Sequence, residues 1–270
     1  MPVNRLKTFF SFILTIFLCQ LPTSIAFASE NAAVLYSKAL KQYRQGDFTS
    51  AKQSLLNTIN KEPISPETLA LSYFHLAETS FQLKEYNEAN QYAQQSVIYF
   101  KDAPKKLAGA YELLGKINFY QKTYEQAEQA FILNLHHHPQ PTSKHFMFLA
   151  KTYIKGKKLD QAIDTLDQAI AQFGDLQAFH DKALSLEIKL YKYQNAMDRV
   201  EYLIAQGLRP IHNLIKLGEL HHHRGNIDEA RQSFNKAKSL FNNLPPSKRK
   251  SPYMKELFKT IQSRMELASY

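Results

Sequence analysis

The 270-residue chain has a single cysteine, Cys19. It lies inside a stretch that reads as a removable leader. The working chain is therefore expected to carry no disulfide, no thiol nucleophile and no thiolate metal site. Exported domains that need disulfide staples are usually small, and about 240 residues can bury enough apolar surface without them. Catalytic signatures are missing as well. The sequence has no G-x-S-x-G elbow, no P-loop and no glycine-rich nucleotide fingerprint. Neither enzymatic activity nor a cofactor is expected. The one pronounced apolar run, Phe9 to Cys19, is roughly a dozen residues long, short of the ~20 that a spanning helix needs.

That run has the layout of a secretory leader. Arg5 and Lys7 precede it, and Pro22 and the small-x-small triplet Ala26-Phe27-Ala28 follow it. We read residues 1–28 as a signal peptide, Ser29 as the first mature residue and the periplasm as the destination. The alternative is anchoring to the inner membrane by an uncleaved N-terminus. No integral membrane domain is expected once the leader is removed. The formal charge is +10, and the two leader cations leave about +8 on the mature chain. Acidic partners are thus favoured electrostatically. For an exported chain that points to anionic lipid, cell-wall polymer or acidic protein rather than nucleic acid. Apart from Lys248-Arg249-Lys250, the charge is spread, as on an ordinary solvated surface.

What the sequence does have is a repeat. QGDFTSAKQSL, KEYNEANQYA, KTYEQAEQAF, KKLDQAIDTL, YKYQNAMDRV and GNIDEARQSF each place an aromatic or aliphatic residue three before an alanine. These alanines, Ala51, Ala89, Ala127, Ala162, Ala196 and Ala230, are spaced by 38, 38, 35, 34 and 34 residues. Upstream halves recur too: YFHLAETSF, YELLGKINF, FMFLAKTY and LIKLGELH carry a large residue, then leucine, then a small one. Small residues at Ala39, Ala77, Gly115, Ala150 and Gly218 suit a close helix crossing, with Leu55, Phe131, Leu166 and Phe234 filling the layer between. Gly46 and Gly225 suit a tight turn at positive φ, and Pro63 and Pro139 end second helices. The unit near Leu176 to Pro210 departs: Leu184 stands where a small residue belongs, and the turn glycine is missing. The two 38-residue steps imply four extra residues in each of the first two linkers or helix ends. Carboxylates such as Glu88, Glu125, Asp160, Asp228 and Glu229 begin second helices, where they complement the helix dipole.

This pattern resembles the tetratricopeptide repeat. The resemblance implies an all-α fold, a right-handed superhelix of about six helix pairs at 32–65, 70–103, 108–141, 143–176, 177–210 and 211–244. Residues 245–270 read as a linker and a capping helix, opened by Ser251-Pro252. It also implies a partner-binding concave face lined by the first helices. The lysine–asparagine carboxylate clamp of some relatives is absent. The inner face of the first three or four units reads instead as aromatic and basic, and the candidate peptide groove is Tyr36, Tyr43, Phe74, Phe81, Glu112, Lys116, Phe119, Tyr120, Met147 and Lys151. Lys155 lies beside it.

Two histidine triplets, His136–His138 and His221–His223, invite a metal reading. Consecutive helical residues point about 100° apart, so three in a row cannot close on one ion. His221 falls at the packed tyrosine position of the repeat pattern. His222, His223, His136 and His138 are the remaining metal candidates, and a site joining the first triplet to His145 is conceivable. The resulting reading is a non-enzymatic interaction scaffold or adaptor in the bacterial cell envelope, binding a peptide or protein segment. The alternative is an envelope-associated binder of an anionic polymer, lipid or metal ion.

Overall fold

The computed structural model describes residues 32–268. The leader and its cleavage point lie outside the described residues. Among them are fourteen helices and no strand. The chain divides into two compact units, 1–157 and 158–270. In the first unit, α1 (32–44) pairs with α2 (Phe48–Ile59), α3 (Pro66–Gln82) with α4 (Tyr86–Tyr99) and α5 (Pro104–Tyr120) with α6 (Tyr124–His137); α7 (Ser143–Lys155) follows. The second unit contains α8 (Leu159–Phe173), α9 (Gln177–Lys189), α10 (Tyr193–Ala205), α11 (Pro210–His223), α12 (Ile227–Asn242), the short α13 (Pro246–Arg249) and α14 (Pro252–Leu267).

The uneven repeat spacing has a simple cause. Helices α3 and α5 are 17 residues long, whereas α7 and α9 have 13 and α11 has 14. The extra residues add about one 3.6-residue turn, and proline opens both long helices, where its missing N–H costs nothing.

All six signature alanines are fully buried, as are Ala39, Ala77 and Ala150. Where the first helix has glycine, the second supplies phenylalanine. A Cβ on Gly115 would sit 2.8 Å from the Phe131 ring, and one on Gly218 would sit 2.5 Å from Phe234. Where the first helix has Leu184, the residue sixteen later is the smaller Val200, in the same buried cluster. Ala39 and Leu55 share another. The fifth unit therefore keeps its register, the departure being compensated across the helix pair. Each filled layer of this kind contributes about 1.5–3 kcal/mol per large apolar side chain removed from water.

First helices end alike. Gly46 and Gly225 adopt φ +79°, and Lys84, Lys122, Lys157 and Tyr191 adopt the same left-handed turn at φ 57–64°. In α1, α3, α5, α9 and α11 the following amide reaches five residues back, as Glu85 N–H does to Ser80 C=O at 2.9 Å, so the last carbonyls of the helix are satisfied. The left-handed conformation is thus set by the hairpin rather than by glycine. At the C-terminal end, the Ser251 hydroxyl accepts the Met254 N–H. Helix α14 then lays Leu257 and Ile261 into the cluster of Ile211, Leu214, Phe234 and Phe241, covering α12.

Candidate functional site

The structure separates the ten candidate groove residues into three groups. Tyr36 and Tyr43, both half-buried, flank His75, with ring centroids 5.7 and 6.4 Å away. His75 Nδ1 in turn meets Glu78 at 2.8 Å. Burial, reinforced by the Glu78 charge, pushes the Tyr36 hydroxyl up to about 12. Phe74 and Phe81 are half-buried and also pack between helices. Phe74 joins the clusters around Ala77 and Phe100, and Phe81 joins that of Ala89 and Leu113. Phe119 packs likewise against the layer of Ala127, Phe131 and Leu149. The helix faces follow from the repeat, but whether a ring is covered depends on the neighbouring pair.

One aromatic side chain of the candidate set stays open. Tyr120 is 58% exposed; it lies 5.2 Å from the Phe81 ring and stacks on Tyr86 at 6.1 Å, 19° from parallel. Its ring is therefore held in place while its outer surface meets solvent.

The polar residues form a second cluster, centred about two turns earlier on α5. Glu112 on α5 is half-buried and pairs with Lys116 at 2.6 Å, with Lys144 and His145 at 3.8 and 3.7 Å. Burial raises the Glu112 carboxyl, but the Lys116 hydrogen bond and the surrounding cations outweigh it and hold the group below its ordinary range. Lys116 and Lys144 lie 5.2 and 5.4 Å from the centre of the Phe148 ring, the distance of a cation–π contact. Met147 is half-buried, and Lys151 is exposed with no partner among the described residues. The sequence reading missed Lys144 and Phe148, and named His145 only as a metal partner. The signal for His145 was present as T-x-x-H, a capping box with histidine in place of glutamate.

That histidine has a consequence for pH. His145 is 7% exposed, and its Nδ1 accepts the Thr142 backbone N–H at 2.9 Å at the start of α7. An accepting Nδ1 puts the proton of the neutral ring on Nε2, facing Glu112. Burial lowers the His145 pKa, Glu112 opposes that, and His138 and Lys144 add to it, leaving the value below that of a free histidine. Folding thus favours the neutral ring, and this stabilisation is complete above the free value of about 6.5 and lost as pH falls through the folded value. Protonation also removes the accepting lone pair. Relative to His145→Gln, which keeps an acceptor at all pH values, the wild type is expected to lose thermal stability below about pH 6.5, by up to about 1 kcal/mol for a lost cap. Parallel pH dependence of the two melting temperatures contradicts this.

The metal candidates are placed as follows. His136 is exposed, and His137 stacks on Tyr111 at 5.7 Å. His138 accepts the Gln140 N–H through Nδ1, its ring 4.5 Å from that of His145. His222 and His223 are exposed and border a pocket of about 410 Å³ with Lys216, Glu219 and Arg264. Glu219 is drawn to Lys216 and Arg264 at 3.0 and 2.9 Å. Burial raises its carboxyl, and the two cations outweigh that and lower it. Among the described residues no three His, Cys, Asp or Glu side chains gather as an ion would need.

An array of helix hairpins with small-residue crossings, identical turns and a terminal covering helix defines a class of α-helical repeat proteins. Residues 149–175 and 211–243 each match the tetratricopeptide repeat family, and the chain is a tetratricopeptide-repeat protein. No curated protein matches it in sequence. In fold it is similar to the C-terminal part of a TPR repeat-containing protein from Cytophaga hutchinsonii, with a TM-score of 0.57 at 14% identity, over 79% of this chain and 84% of that one. It is also similar to a MamA fragment from Desulfovibrio magneticus RS-1, with a TM-score of 0.54 at 14% identity, over 67% and 97%. At these identities the likeness concerns the fold alone.

Proposed function

We propose that the protein is a non-enzymatic interaction scaffold whose first unit holds a segment of a protein partner along α3, α5 and α7. The observation that carries this reading is the arrangement around Tyr120. A ring braced by Phe81 and Tyr86 but open to solvent shares α5 with Lys116, and exposed Lys144 and Lys151 stand on α7. Rigid aromatic anchors bordered by basic groups suit a segment with one large apolar side chain followed by acidic residues. Glu112 offsets part of the positive charge and holds Lys116 and Lys144 near Phe148, so the lysines are placed before a ligand arrives.

The location we propose is the cell envelope. Its support is the leader-like composition of residues 1–28. Recovery from an envelope fraction of a chain beginning at Ser29 tests it; recovery of a cytosolic chain beginning at Met1 contradicts it.

Peptide display on the purified protein is expected to enrich segments that pair an aromatic or aliphatic anchor with acids. Tyr120→Ala with Lys151→Ala is expected to weaken the enriched peptides about tenfold or more, a loss of about 1.4 kcal/mol or greater. Both residues are surface groups, so the melting temperature should hold. Peptides that bind the double variant as well as the wild type would rule the groove out.

A further inference from the structure

We propose that the hollow between α4 and α6 in the first unit binds a neutral oligosaccharide. The hollow measures about 730 Å³, within the range of small-ligand sites. Asn87, Gln91 and Gln94 of α4 form one wall, Gln126 and Gln129 of α6 the other, and Tyr111 and Leu114 of α5 lie at its floor. In a chain with 21% charged residues, none of the residues lining it is charged. An adjoining hollow, by contrast, is lined in part by Lys84, Glu85 and Glu88.

This composition selects a ligand chemistry. Each carboxamide offers two donors and an acceptor, matching hydroxyls that both donate and accept, while nothing in the lining rewards an ion. The floor supplies apolar surface for the C–H face of a pyranose. A sugar ring presents hydroxyls around its whole rim, and here amides from two separate helices line the hollow. An extended peptide offers its N–H and C=O groups along a single line and leaves one wall unused.

Some of the amides are also fixed in advance. Asn90 donates to the buried Asn118 at 2.7 Å, Gln94 donates to Asn90 at 2.9 Å, and Gln121 donates to Asn87 at 2.8 Å. These bonds orient Asn87, Asn90 and Gln94 on α4, which lowers the ordering cost of binding. Gln91, Gln126 and Gln129 have no partner among the described residues, so their bonding capacity is unspent. Gln91 and Gln129 each stand two residues after a signature alanine, on successive second helices. The repeat therefore sets them at equivalent positions on neighbouring second helices, both lining the hollow.

The test is an NMR titration of the purified protein with chitopentaose, cellopentaose and maltopentaose, followed at the glutamine side-chain amides. At least one sugar is expected to shift the Gln91 and Gln129 resonances, with an affinity unchanged by added salt. Gln91→Ala with Gln129→Ala is expected to weaken that sugar about tenfold or more at an unchanged melting temperature, and Tyr120→Ala is expected to leave it intact. The proposal is overturned if none of the three shifts these resonances at millimolar concentration, if the double variant binds equally well, if salt abolishes binding, or if a glycine–serine decapeptide shifts them where the sugars do not.

Discussion

Replacing Arg199 with methionine is expected to cost the protein about 3–5 kcal/mol. The guanidinium joins two carboxylates of unequal burial. Its Nε and Nη2 donate to Glu187 at 3.0 and 2.6 Å, and Nη1 and Nη2 donate to Asp167 at 2.8 and 3.2 Å. Glu187 is 2% exposed, and the Arg199 side chain is 11% exposed. Burial lowers the arginine pKa, but the hydrogen bonds and charges of Glu187 and Asp167 outweigh it and hold the group above its ordinary value. Methionine keeps the apolar stem and removes the charge, which strands Glu187 without a counter-ion in a site closed to water. Adding Glu187→Leu is expected to restore most of the loss, because removing both partners of a buried pair is often close to neutral. Asp167→Ala should cost less than about 1 kcal/mol, as that carboxylate is partly exposed and screened. Urea denaturation followed by circular dichroism checks all three. A loss below about 1 kcal/mol for Arg199→Met would show that Glu187 does not depend on the guanidinium.

The second large effect comes from a single methyl group. Gly218→Ala is expected to destabilise by about 1–3 kcal/mol, the usual cost of overpacking a core. Its Cβ would stand 2.5 Å from Phe234, a ring only 1% exposed and held by α14, so neither partner can withdraw. Phe234→Leu alone leaves a void and is expected to cost about 1–2 kcal/mol. Together they recreate the alanine–leucine combination of Ala39 and Leu55, and the double variant should be more stable than the sum of the singles by about 1 kcal/mol or more. Strict additivity would mean that the two residues do not share the crossing.

These pairs also show what could be read before the structure was seen. The alanine spacing revealed the hairpins, because a close helix crossing admits only small side chains and so marks the chain at fixed intervals. The surplus residues of the second and third repeats lie in the helices α3 and α5 rather than the linkers, a choice that spacing alone left open. The turns at Lys84, Lys122, Lys157 and Tyr191 were invisible, since a left-handed conformation imposed by a hairpin needs no glycine to announce it. For the candidate groove, the assignment of Phe74, Phe81 and Tyr120 to first helices was legible, but their very different exposure was not. Burial is a property of neighbouring pairs. The ring of cations around Glu112 was hidden for the same reason: Lys144 and His145 approach it from a different helix. The carboxamide hollow carried no signal, because uncharged polar residues on an exposed helix face look like ordinary surface.

The matched volumes at the crossings bear on how the chain reaches its fold at all. Hairpins as similar as these, recurring every 34 to 38 residues, are open to pairing a helix with the wrong neighbour, a characteristic failure of repeat proteins. Here a displaced α12 would drive Phe234 towards Leu184, where no room is left, and α10 set against α11 in its place would leave Val200 facing the gap at Gly218. Alternating bulk thus serves as an address, by which each second helix distinguishes its own partner from the copies on either side.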